Sequence, residues 1–101
     1  MKRGDKPERV RPVLERVLER SGFAARLAQG RVVEQWASLV GEHIASVTRA
    51  EVVSANSVLI VSVKTNSWMS ELALLEREIL TAINRVTPAN PIVKIRWQLM
   101  R

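Results

Sequence analysis

The side chains able to do chemistry in this 101-residue chain are few. His43 is its only imidazole, Asp5 its only aspartate, and it contains no cysteine. A Ser-His-Asp relay or a multi-ligand zinc site needs an inventory that is missing here. Nine glutamates remain, most of them interleaved with arginine at helical spacing. That is the pattern of a solvated face, not of a carboxylate pair set in a cleft. Gly4, Gly22, Gly30 and Gly41 stand alone, so neither a G-x-x-x-x-G-K-S/T nor a G-x-G-x-x-G loop is present to cradle phosphates. The expectation is a non-enzymatic protein without cofactor or metal. What the chain has in quantity is positive charge: sixteen Lys and Arg against ten Asp and Glu, +6 with His43 neutral. Such a balance suits a polyanionic partner.

The charge is unevenly placed. Residues 1–31 carry nine basic and four acidic side chains, residues 32–67 two and three, and residues 68–101 five and three. Lys2, Arg3, Lys6, Arg9 and Arg11 read either as a solubilising terminus or as an arm that neutralises phosphates and releases their counterions. Residues 1–9 are expected to form this arm, and residues 10–101 a single domain. No apolar run reaches the roughly 18 residues of a membrane span, and no h-region follows the basic start, so a cytoplasmic protein is expected.

The elements that must position these charges follow from periodicity. Val10, Val13, Leu14, Val17 and Leu18 repeat at helical spacing; Pro12 fits only a first turn, and Gly22 suits a helix end. Phe23–Ala28 reads as a short helical turn broken at Gly30. A helix over about 31–40 is then expected to bury Val33, Trp36 and either Leu39 or Val40, with Gly41 just past its end. Residues 47–53 and 58–64, rich in β-branched side chains and separated by Ser54-Ala55-Asn56-Ser57, predict an antiparallel hairpin. In its second strand Leu59, Val61 and Val63 point one way, and Val58, Ile60 and Ser62 the other. Both faces are partly apolar, so either the strand is covered twice or one face docks a partner.

A long helix over 67–86 follows, capped by Asn66 or Ser67. Its core stripe is Trp68, Leu72, Leu75, Ile79, Ile83 and Val86, with Leu74 and Leu80 off centre, and residues 87–91 stop it. In the last strand, 92–100, Val93, Ile95, Trp97 and Leu99 alternate with Lys94, Arg96 and Gln98, which gives a basic outer face. A right-handed crossover makes this strand parallel to one strand of the hairpin. The fold class is α+β: N-terminal helices, then β-β-α-β, in two layers with helices on one face of a three-stranded sheet.

Trp36 and Trp68 lie on helical stripes and read as core, although indoles also stack on bases. Trp97 shares the apolar parity of its strand, and if exposed would be a stacking platform. His43 reads as a helix-end or loop residue. Lys94 and Arg96, with Arg49 and Lys64 on neighbouring strands, form either a basic nucleic-acid surface or an ordinary solvated face.

The succession Trp36-Ala37-Ser38-Leu39-Val40-Gly41, a hairpin, Ser67-Trp68-Met69-Ser70-Glu71-Leu72 and a closing Ile95-Arg96-Trp97 resembles the DciA family of bacterial replicative-helicase loaders and operators, over roughly residues 10–99. W-x-x-x-V-G followed about thirty residues later by W-x-x-E-L carries the likeness. The resemblance implies a KH-like fold, binding to the replicative helicase and to single-stranded or forked DNA, and loading without ATP hydrolysis. The chain departs from RNA-reading KH modules in having no GXXG loop, and any arm is expected to be N-terminal. A KH-like RNA-binding module is the alternative. The expected DNA-binding residues are Lys2, Arg3, Lys6, Arg9, Arg11, Arg49, Lys64, Lys94 and Arg96. The expected helicase-facing residues are Leu27 and Val32, apolar positions outside the core stripe. The free chain is expected to be monomeric.

Overall fold

The computed structural model describes residues 22–101. The expected first helix, with Val10 to Leu18, and the arm residues Lys2, Arg3, Lys6, Arg9 and Arg11 lie outside the described residues.

Gly22, in the left-handed conformation (φ 76, ψ 12), opens helix α1, Phe23–Glu34. Gly30 does not break this helix, contrary to the sequence reading. An interior glycine costs about 1 kcal/mol, and the burial of Gln29 and Val32 either side of it offsets that cost. The break comes instead at Gln35 (φ −101, ψ 12), after which α2, Trp36–Val40, starts on a new heading. The new heading brings the Trp36 indole N–H to the Thr48 hydroxyl at 2.8 Å, and that hydroxyl donates to the Ile44 carbonyl at 2.7 Å. Gly41 (φ 92) ends α2 as expected and leads into the short α3, Glu42–Ala45.

Strands β1, Thr48–Val53, and β2, Val58–Val63, pair antiparallel with a register shift between Ala50 and Val52. Helix α4, Asn66–Leu74, is capped by Thr65, whose hydroxyl accepts from the Trp68 N–H at 3.1 Å; neither Asn66 nor Ser67 is the cap. The expected long helix is two. It breaks at Leu75 (φ −99, ψ 7), and α5, Glu76–Ile83, continues from there. The break turns Leu75 out of the stripe, leaving it 40% exposed.

Asn84 ends α5 and acts as a piece of backbone. Its amide donates to the Ile92 carbonyl at 3.0 Å and its side-chain oxygen accepts from the Ile92 N–H at 2.8 Å. Ile92 is thereby buried and Val93 turned outward, the reverse of the expected parity at that end of the strand. Strand β3, Lys94–Leu99, then pairs parallel with β2, giving the order β1-β2-β3 with β2 central.

The core lies between the helices and one sheet face. Val32, Trp36, Leu59, Val61, Val63, Leu72, Ile79, Ile83, Ile92 and Ile95 form one buried cluster. Each such side chain contributes about 1.5–3 kcal/mol. Val32, not Val33, is the innermost residue of α1, with Val33 packed at the margin. The α+β architecture, helices followed by a three-stranded mixed sheet, is consistent with the expected KH-like fold.

Candidate nucleic-acid interface

The period of two that buries Leu59, Val61, Val63 and Ile95 turns Val58, Ile60 and Ser62 of β2 and Lys94, Arg96 and Gln98 of β3 to the opposite face. No helix among the described residues covers that face. The register aligns Val58 with Lys94, Ile60 with Arg96 and Val52, and Ser62 with Gln98 and Arg49. The face therefore has two halves of different chemistry.

One half is a closed polar chain. The Gln98 amide donates to the Ser62 hydroxyl at 3.2 Å, and that hydroxyl donates to Glu51 Oε2 at 2.8 Å. The Arg49 Nε–H donates to the same oxygen at 2.9 Å. The Ser62 bond first, and the Arg49 bond and charge second, hold the Glu51 carboxyl below its ordinary range. Arg49 is thus already partnered, and a phosphate has to compete with Glu51 for it. A concavity of about 520 Å³ beside this chain is bounded by Arg49, Glu51, Ser62, Gln98 and residues 99–101.

The other half holds unneutralised charge. Lys94 and Arg96 are exposed and have no carboxylate partner among the described residues. They stand two residues apart on one face, about 7 Å along the strand, comparable with the step between phosphates of an extended single strand. Between them and the β1–β2 turn runs a concavity of about 350 Å³, lined by Ser54, Asn56, Val58, Ile60, Lys94 and Arg96. Its two walls are tied to each other by a residue from the far layer. Gln29, 5% exposed, sends its amide to the Ser57 hydroxyl and to the Asn90 carbonyl, both at 3.0 Å. Ser57 carries a positive φ of 62, and its carbonyl accepts from the Val93 N–H at 2.9 Å.

Of the expected DNA-binding residues in the described part, the structure brings Lys94 and Arg96 together and sets Arg49 across the sheet in the polar chain. Lys64 is exposed just past β2, six residues or about 20 Å along from the Lys94 row. Sequence reasoning missed Ser54, Asn56 and Gln29. The signal for the first two was present, since a turn next to a half-apolar strand lies beside that strand's outer face. Nothing in the sequence marked Gln29 as buried.

The indoles take no part in this face. Trp36 is in the core, bonded to Thr48. Trp68 is half-buried, with the His43 ring edge-on at 5.4 Å, and His43 itself is exposed at the end of α3. Trp97 is half-buried on the helix side, where its N–H donates to Glu76 Oε1 at 3.2 Å. The expected helicase-facing pair separates. Leu27 is 59% exposed on α1, but Val32 is fully buried and cannot meet a partner. Because α1 runs unbroken through Gly30, Val32 lies one turn after Gln29 on the same buried face. No group of side chains able to hold a metal occurs among the described residues, and no described helix is long and apolar enough to cross a membrane.

Residues 9–96 match the family described as Dna[CI] antecedent, DciA. A UPF0232 protein of Corynebacterium glutamicum (strain R) is 30% identical over 89 residues, 88% of this chain and 49% of the relative. A UPF0232 protein of Mycobacterium leprae (strain Br4923) is 32% identical over 77 residues, 76% of this chain and 40% of the relative. One of Mycolicibacterium smegmatis is 26% identical over 80 residues, 79% and 41% respectively. The chain spans about half, or somewhat less, of the length of these relatives.

Proposed function

Because this chain belongs to the DciA family, one of replicative-helicase loaders, we propose that it is a non-enzymatic replication factor that holds the bacterial helicase and a single or forked DNA strand together without hydrolysing ATP. The observation that carries the DNA half of this reading is the pair Lys94 and Arg96, unneutralised above the concavity formed with Ser54, Asn56, Val58 and Ile60. In it the cations take successive phosphates. The sugar edges lie on Val58 and Ile60, and Ser54 and Asn56 offer hydrogen bonds to whichever base is presented. No aromatic side chain lines the concavity, so the reading rests on phosphate contacts and not on base stacking. Arg49 and Lys64 extend the basic surface, and Lys2, Arg3, Lys6, Arg9 and Arg11 add contacts from the N-terminal arm. The helicase half rests on the opposite layer, where Leu27 and Leu74 are 59% and 80% exposed. Apolar helices behind and a basic sheet in front let one domain touch both partners at once.

The test is a titration of forked DNA with the chain, alone and with its own replicative helicase, at several salt concentrations. On a single strand each phosphate contact contributes about −0.7 to the slope of log K against log salt. Replacing Lys94 and Arg96 by Ala removes about 1.4 from the slope with the melting temperature unchanged, and lowers helicase loading. An affinity indifferent to salt and to both substitutions refutes the DNA reading. Full helicase binding by a folded Leu27→Asp, Leu74→Asp variant refutes the assignment of the helical layer.

A further inference from the structure

The two edges of the sheet are unlike. β1 shifts register at Glu51, and that stretch carries the Arg49–Glu51 ion pair, so its edge is irregular and charged. Both features discourage pairing with another strand. β3 runs in register with β2 from Lys94 to Leu99 without a shift. Its Met100 N–H turns to β2 and donates to the Val63 carbonyl at 2.8 Å. Its Ile95 N–H turns the other way and is taken by Glu76 Oε2 at 3.1 Å. Alternation along the strand turns the N–H and C=O groups of Trp97 and Leu99 outward as well. Among the described residues these two N–H groups have no partner. On the same stretch Leu99 is 43% exposed, whereas Ile95 is 2% exposed.

We propose that this end of β3 pairs antiparallel with β3 of a second copy of the chain, about a two-fold axis through Leu99. The side chains that such a pairing sets opposite each other argue for a second copy. With the axis at Leu99, Leu99 meets Leu99, Gln98 meets Met100, and Trp97 meets Arg101 of the other copy. No like charges stand opposite each other, apolar meets apolar at the centre, and a guanidinium lies beside an indole, whose face attracts a cation. Lys94 and Arg96 fall outside the paired stretch, and Ile95 keeps its bond to Glu76, so neither the basic concavity nor the existing hydrogen bonds are disturbed. The outward groups of Trp97 and Leu99 gain partners, and two three-stranded sheets become one of six. The monomer expected of the free chain then holds at the dilute end of a concentration-dependent equilibrium.

Sedimentation of the chain from about 10 μM to about 1 mM is expected to show a growing dimer, with the Leu99 amide increasingly protected from exchange over the same range. Leu99→Pro deletes an N–H that β2 does not use, and Leu99→Lys sets two ammonium groups face to face. Each is expected to weaken dimerisation at least tenfold, and far-UV circular dichroism is expected to show the fold retained. A wild-type chain that stays monomeric throughout, or a dimer in which the Leu99 amide gains no protection, overturns the proposal. So does a dimer that survives both substitutions.

Discussion

Gln29→Leu tests how the walls of the basic concavity are held. The buried amide joins three segments far apart in sequence: α1, the β1–β2 turn at Ser57, and the loop before β3 at Asn90. Leucine keeps the length and approximate volume of the side chain and removes both donors. Two hydrogen bonds at about 1 kcal/mol net each give a loss of about 2 kcal/mol. The larger penalty for a stranded acceptor does not apply. The Asn90 carbonyl keeps the Thr87 hydroxyl at 2.9 Å, and Ser57, only partly buried, can turn to water. The added apolar burial of leucine returns some of the loss, so the net expectation is about 1–2 kcal/mol. For a domain of this size that is a fall in melting temperature of about 5–15 °C. Urea and thermal melts followed by tryptophan fluorescence measure it. The same variant should bind single strands more weakly than its stability explains, because the β1–β2 turn and the loop before β3 lose the side chain that ties them to α1 and keep only their direct bond from the Val93 N–H to the Ser57 carbonyl. A variant within about 0.5 kcal/mol of wild type, with unaltered DNA affinity, refutes the claim that Gln29 positions the site.

Gly30→Ala should stabilise the chain by about 0.5–1 kcal/mol, since a Cβ there meets nothing within 4 Å; an unchanged or lower denaturation midpoint counts against that. Asn84→Ala removes both bonds to Ile92, a residue 2% exposed, and leaves its N–H and C=O unpaired; a loss of about 2 kcal/mol or more in a urea melt is expected, and a loss below about 1 kcal/mol contradicts the backbone-like role of Asn84. Glu51 has its folded pKa lowered, chiefly by Ser62 and then by Arg49. Its stabilisation is therefore present above the ordinary carboxylate range and lost as pH falls through the folded value. Glu51→Gln should remove that part of the acid limb of a pH–stability profile, and free Arg49 to strengthen DNA binding at low salt. An unchanged limb with unchanged affinity tells against the polar chain on the sheet.

The strands were the most readable part of the sequence. Period-two alternation located Lys94 and Arg96 on one face and the apolar side of β2 on the other, because a strand allows only two directions. The crossover rule gave the parallel pairing of the last strand. Helix boundaries were less readable. Gly30 looked like a breaker, yet the burial of Gln29 and Val32 outweighs its propensity. Leu75 looked like core, yet a local break turns it out, and no glycine or proline marks that break. Val32 reads as a surface position only while Gly30 is taken as a break; in one continuous helix it sits one turn after Gln29, on the same buried face. The site was half legible: which cations share a face follows from parity, but which of them is already neutralised depends on the register shift at Glu51, and no residue type announces it.

The Asn84–Ile92 clamp also bears on how quickly the fold is reached. A parallel strand is ordinarily a late arrival, since its pairing partner lies across a crossover and the chain must search for the alignment. Here the clamp closes only eight residues, for which the loss of chain entropy is small. The end of α5 and the start of β3 are therefore expected to fix each other's direction as a local event, before β2 is met. What remains is the docking of a strand already aimed, and a substitution at Asn84 should slow folding more than it speeds unfolding.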